Sequence, residues 1–138
     1  MRASVAAVTI LGLIGFSCGG PPAILTVNEL PASVTLKLGQ DLQIKSPDLL
    51  IRLLEVVNDS RCPVDVTCVS AGTVNLRFAV SVAGAPEGGF FMMLGESNSQ
   101  LGVLLRVTAV SPDRRSNTPI IAPKDYRVTL DIGTPPPP

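Results

Sequence analysis

Val74-Asn75-Leu76-Arg77-Phe78-Ala79-Val80-Ser81-Val82 places a large apolar side chain at every second position. In an extended chain that period puts Val74, Leu76, Phe78, Val80 and Val82 on one face and Asn75, Arg77, Ala79 and Ser81 on the other. A strand with one face in a core and one in water, typical of antiparallel sheets, reads this way. The same period recurs on both sides. Upstream, Val34-Thr35-Leu36-Lys37-Leu38 alternates, Gly39-Gln40-Asp41 turns, and Leu42-Gln43-Ile44-Lys45 alternates again. Downstream, Tyr126, Val128, Leu130 and Ile132 share a face opposite Arg127, Thr129 and Asp131.

Phe90 to Leu94 is an unbroken apolar run between Gly88-Gly89 and Gly95, which predicts a strand buried on both faces. Leu101 to Val110 follows the polar stretch Glu96 to Gln100, and a hairpin between these two runs is expected. Turn-rich segments at 84–89, 95–100 and 111–119 divide the chain at the spacing of an all-β domain. Residues 47–57 read two ways. Ser46-Pro47-Asp48 would serve as a helix start, and Leu49, Leu50, Leu53, Leu54 and Val57 would share a helical face. As a strand, Leu49, Ile51 and Leu53 align and the period slips near Glu55, which a bulge at Leu54-Glu55 would absorb. Strand neighbours and the β-branched pair Val56-Val57 favour the strand. The expected fold is an all-β, antiparallel β-sandwich, immunoglobulin-like or a related Greek key, formed as a single domain by residues 24–133. Residues 134–138, Thr and four prolines, cannot join a sheet ladder and are expected to form an exposed tail.

The N-terminus predicts export. Met1-Arg2 gives one positive charge, and Ala3 to Phe16 is an uncharged apolar run too short for a membrane span before Gly19-Gly20-Pro21-Pro22 breaks it. Gly15-Phe16-Ser17-Cys18 resembles the lipobox of bacterial lipoproteins, with Gly15 where Leu is usual. That resemblance implies a signal peptide over 1–17, lipidation at Cys18 and a tether over 18–23. Gly19, rather than Asp, after the cysteine points to the outer membrane, with the domain facing periplasm or exterior.

Composition removes several classes. The formal net charge is +0, so neither a nucleic-acid footprint nor a polybasic membrane patch exists. Histidine is absent, which excludes Ser-His and Cys-His nucleophile activation and imidazole ligation of a metal. No catalytic residue, metal site or cofactor is assigned.

The remaining cysteines lie in Asn58-Asp59-Ser60-Arg61-Cys62-Pro63-Val64-Asp65-Val66-Thr67-Cys68. In an exported chain a C-x5-C pair is most simply a disulfide closing a tight loop. Two thiols without His or further Cys cannot complete a structural zinc site. Asn58, Asp59 and Asp65 lack the D-x-D-x-D-G spacing of a calcium loop. Asp59 and Arg61 are expected to brace the turn through side-chain bonds to the backbone. Arg61, Val64 and Asp65 are also the candidate partner contacts on this loop, with Arg114 and Arg115 on the polar loop 111–119.

Asp59-Ser60-Arg61-Cys62-Pro63, followed by Val66, Cys68, Val69 and Ala71-Gly72 before a strand, resembles a family of bacterial secreted proteins and lipoproteins. Their signature is DSRCP…C-x-W-A-G. Leu38-Gly39-Gln40 and Tyr126-Arg127-Val128 fit the same pattern, whereas Ser70 stands where the family has Trp. The resemblance implies this architecture and export, and no activity. The expected function is therefore that of a lipid-anchored envelope protein, held to the membrane through Cys18. Its non-catalytic sandwich would bind or brace an unknown envelope protein or ligand. The alternative is an inhibitor-like or ligand-presenting module that offers loop 59–68 with Val64 or Val66 at its tip. An enzyme would have to gather a Lys with a Ser, or two carboxylates such as Glu87 and Glu96.

Overall fold

A computed structural model describes residues 23–138; the expected signal peptide over 1–17, the expected lipidation site Cys18 and the expected tether up to residue 22 lie outside the described residues. Among the described residues nine strands form two sheets. The five-stranded sheet has β1 (Leu25–Val27), β3 (Asp41–Ile44), β4 (Leu49–Asp59), β5 (Val74–Val82) and β6 (Gly88–Met93), in that spatial order. The four-stranded sheet runs β2 (Ala32–Lys37), β9 (Arg127–Gly133), β8 (Leu104–Ser111), β7 (Ser97–Asn98). The sheets pack face to face as a β-sandwich, and among the described residues each keeps two free edges, so they do not close into a barrel. All pairs are antiparallel except β1 with β3, which is parallel.

The inner faces follow the period of two. Leu49, Ile51 and Leu53 of β4, with Val74, Leu76 and Phe78 of β5, are fully buried. They meet Leu36, Leu105, Val107, Val128, Leu130 and Ile132 of the other sheet in one apolar cluster. Phe78 stacks on Phe90 at a centroid distance of 5.3 Å. Ala79, on the opposite face, is buried as well, in register between Arg52 and Gly89.

Residues 49–59 are strand, and Ser46-Pro47-Asp48 forms a turn before it. Burying three alternate side chains at the centre of a sheet outweighs the helical start signal. The register shifts between Leu53 and Glu55, as the slipping period requires, and again between Val56 and Asn58. A third shift, between Val107 and Ala109 in β8, explains why Leu105, Val107 and Val110 all reach the core despite their uneven spacing.

Two expectations are corrected. Phe90–Leu94 and Leu101–Val110 do not form a hairpin, because β6 pairs only with β5 while β8 lies in the other sheet. Gly95, at φ +86°, turns the chain across the sandwich, and its N–H donates to Val107 O at 2.8 Å. The hairpin partner of β8 is the short β7. Nor is β6 buried on both faces: Phe90 and Met92 face inward, whereas Phe91 and Met93 stand in solvent on an edge strand. An apolar run does not distinguish a central strand from an edge with a greasy outer face.

Candidate functional site

The distinctive stretch begins where β4 and β5 end. Ser60 N–H donates to Thr73 O at 2.8 Å and Cys62 N–H to Ala71 O at 2.8 Å, so the two chains stay paired beyond the sheet. The Ser60 hydroxyl donates to Thr73 O and accepts from Thr73 N–H. The Cys62–Cys68 disulfide closes the loop, with Cα atoms 5.9 Å apart. Gly72 is required here by contact: its φ is +66°, and a Cβ would lie 1.8 Å from Ser60 O. Glycine at position 72 thus has a steric reason.

Asp59 and Arg61 form a nearly buried ion pair, with side-chain exposures of 8% and 11%. Arg61 Nε donates to Asp59 Oδ1 at 2.9 Å, and Nη2 to Oδ2 at 2.7 Å. Arg61 also reaches the other sheet, with Nη1 donating to Val110 O at 2.6 Å and Nη2 to Pro112 O at 3.1 Å. Tyr126 Oη donates to Asp59 Oδ2 at 3.0 Å. Burial pushes the Asp59 carboxyl up, but the hydrogen bonds from Arg61 and Tyr126 together outweigh it and hold it below its ordinary value. Burial and then the bond to Asp59 push the Tyr126 phenol up from 10.0 to about 12. These groups are satisfied within the chain and form a brace. Arg61 is consumed by that brace rather than presented to solvent.

The loop after β8 backs the disulfide loop. Arg114 Nη1 donates to Arg61 O at 2.5 Å, and Val64 N–H donates to Arg114 O at 2.9 Å. Asp65 accepts from the Ser116 backbone at 2.9 Å and from its hydroxyl at 2.5 Å. Those bonds, side chain first, hold the Asp65 carboxyl below its ordinary value. Arg115 is exposed. Of the candidate contacts, Val64 is 57% exposed. Val66 and Val69, one inside and one just past the disulfide, stand out as well. The structure therefore brings Arg61, Val64, Asp65, Arg114 and Arg115 together in two interlocked loops at one end of the sandwich.

Sequence reasoning missed Tyr126 as part of this site, reading it as another core position. The chain has a single tyrosine, standing where the strand pattern otherwise places aliphatics, and that was the available signal. Ser116 carried no signal at all.

A cavity of about 440 Å3 lies beside the brace, between the far half of β4 and the segment before β9. Leu38, Val56, Ile121 and Pro123 line it, with Asp59 and Tyr126 at one side. β3 pairs with β4 only from Leu49 to Arg52, so among the described residues no strand pairs with this half of β4 on that side. Glu87 and Glu96 are not gathered: they flank opposite ends of β6, Glu87 near Arg52 and Glu96 accepting from Met93 N–H. No family model, curated protein or solved structure matches this chain.

Proposed function

We propose that the protein is a lipid-anchored component of a bacterial cell envelope whose β-sandwich binds or braces a partner without catalysing a reaction. The observation that carries the reading is Gly15-Phe16-Ser17-Cys18 following a charged start and an apolar run, with Cys18 only seven residues before the first strand at Leu25. The disulfide is consistent with an oxidising compartment. Replacing Cys18→Ala abolishes fatty-acid labelling and releases the protein from membranes. Unchanged labelling in that variant refutes the anchor.

A second reading makes the disulfide loop a presented binding element, and it is favoured by Val64 and Val66 standing exposed on a loop pinned from behind by Arg114 and Ser116. A loop held in one shape loses less entropy on binding.

A further inference from the structure

We infer that the end of the sandwich carrying the disulfide loop lies against the lipid surface that holds Cys18. The inference rests on the anchor proposed above and adds what the exposed loop faces. Strand direction is the first ground. β1 runs parallel to β3, with Leu25 level with Leu42, and β3 runs antiparallel to β4. Followed backwards from Leu25, the chain therefore travels the way β4 travels forwards, towards the disulfide loop. Ala23 O accepts from Gln40 Nε2, and the neighbouring Gly39 N–H donates to Leu53 O, which places Ala23 near the level of Leu53.

Length is the second ground. Cys18 stands five residues before Ala23, a span of at most about 18 Å at full extension. Between Leu53, opposite Phe78, and Asp59, opposite Val74, the β4–β5 ladder climbs about 14 Å. The Ser60–Thr73 and Cys62–Ala71 bonds carry it further. The loop thus rises about as far as the tether can reach, in the direction in which the chain points from Leu25 back to Ala23. A bilayer holding Cys18 lies level with the loop.

The third ground is where apolar surface remains uncovered. Nine large apolar side chains are exposed among the described residues. Val64, Val66, Val69 and Ile120 (83% exposed) belong to the two loops at this end, and Ile24 and Val57 lie on the way to it. The two loops carry no net charge to oppose contact with lipid: Asp59, Asp65 and Asp113 balance Arg61, Arg114 and Arg115 across 59–69 and 111–121. Valine and isoleucine tips enter the headgroup boundary while the exposed Arg115 stays at the phosphate level. So small an apolar area binds only with the lipid anchor in place.

The chain contains no tryptophan, so one introduced indole reports alone. Val66→Trp and Ile120→Trp place it on the two loops; Ala85→Trp places it on the β5–β6 turn at the other end. Each lipidated full-length protein is reconstituted into phosphatidylcholine/phosphatidylglycerol vesicles containing phospholipid brominated near the headgroup end of its acyl chains. Bromolipid is expected to quench both loop indoles several-fold more than the Ala85→Trp indole, with the loop emission shifted to the blue. Loop indoles that stay open to aqueous acrylamide and untouched by bromolipid overturn the inference, whichever variant shows it, and leave the loop turned towards a soluble partner. Fatty-acid labelling of the same preparations reads the anchor separately: an unlabelled chain overturns both readings, while a labelled chain with aqueous loops overturns only this one.

Discussion

At Gly72 a single hydrogen atom decides whether the loop closes. A methyl group there would sit inside the Ser60 carbonyl, and backbone, unlike a side chain, cannot step aside. Gly72→Ala is expected to cost more than about 3 kcal/mol through combined strain and lost pairing, read as a fall in the urea midpoint. Tyr126 supplies the pH dependence. Its phenol titrates near 10.0 when unfolded and is pushed up to about 12 in the fold. Its contribution is therefore whole below pH 10 and is lost as pH rises from 10 through about 12, because the unfolded chain releases the proton first. Unfolding of the native protein and of Tyr126→Phe, compared across that window, is expected to show a stability gap that narrows as pH rises. Asp59 acts with the opposite sign: held below its ordinary value, it stabilises above the usual carboxylate range and stops doing so as pH falls through its folded pKa.

Among the elements, the disulfide loop continues β4 and β5 and has little core of its own. Cys62 and Cys68 both changed to Ser are expected to lower stability by about 2.4 kcal/mol on chain-entropy grounds. Val74, Leu76 and Phe78 are already buried under the sheet, so the sandwich itself remains folded. Mass-resolved thiol alkylation without reductant tests the bond directly, with both sulfurs of the native protein expected to stay unmodified. The elements also differ in how plainly they were written. The bulge at Leu54-Glu55 was legible because a slip in a period of two leaves two adjacent residues claiming one face. The pairing of β6 was not, because alternation reports which side chains are apolar and says nothing about which sheet receives them. β1 spans only three residues, too few to show a period. In the loop, Asp59 and Arg61 are bonded two residues apart and could be read locally. The contacts of Arg61 with Val110 and of Tyr126 with Asp59 join positions 49 and 67 residues apart, which no local pattern encodes.

At the scale of the whole molecule, Arg61, together with the Tyr126–Asp59 bond, ties one sheet to the other outside the apolar core. Arg61 follows the last residue of β4 by two and donates to the carbonyl of Val110 in β8. Arg61→Ala would leave the Asp59 carboxylate buried without its cation, at a cost of about 3 kcal/mol or more. Arg61→Lys is expected to recover only part of that, since a single ammonium cannot serve both carboxylate oxygens and two carbonyls. Chemical denaturation of the two variants checks the order.

One rim of this molecule has consequences for colonies of it. From Gly88 to Met93 the outermost strand holds neither a charge nor a proline, and Phe91 and Met93 point away from the core. Natural sheets commonly guard such a border with lysine, proline or a twist. Unguarded, it is a template: overproduced and released from any surface, copies are expected to lengthen one another's sheets border to border, read first as turbidity in a concentrated stock. A lysine in place of Phe91 would interrupt that growth while leaving Phe90 and Met92 packed where they are.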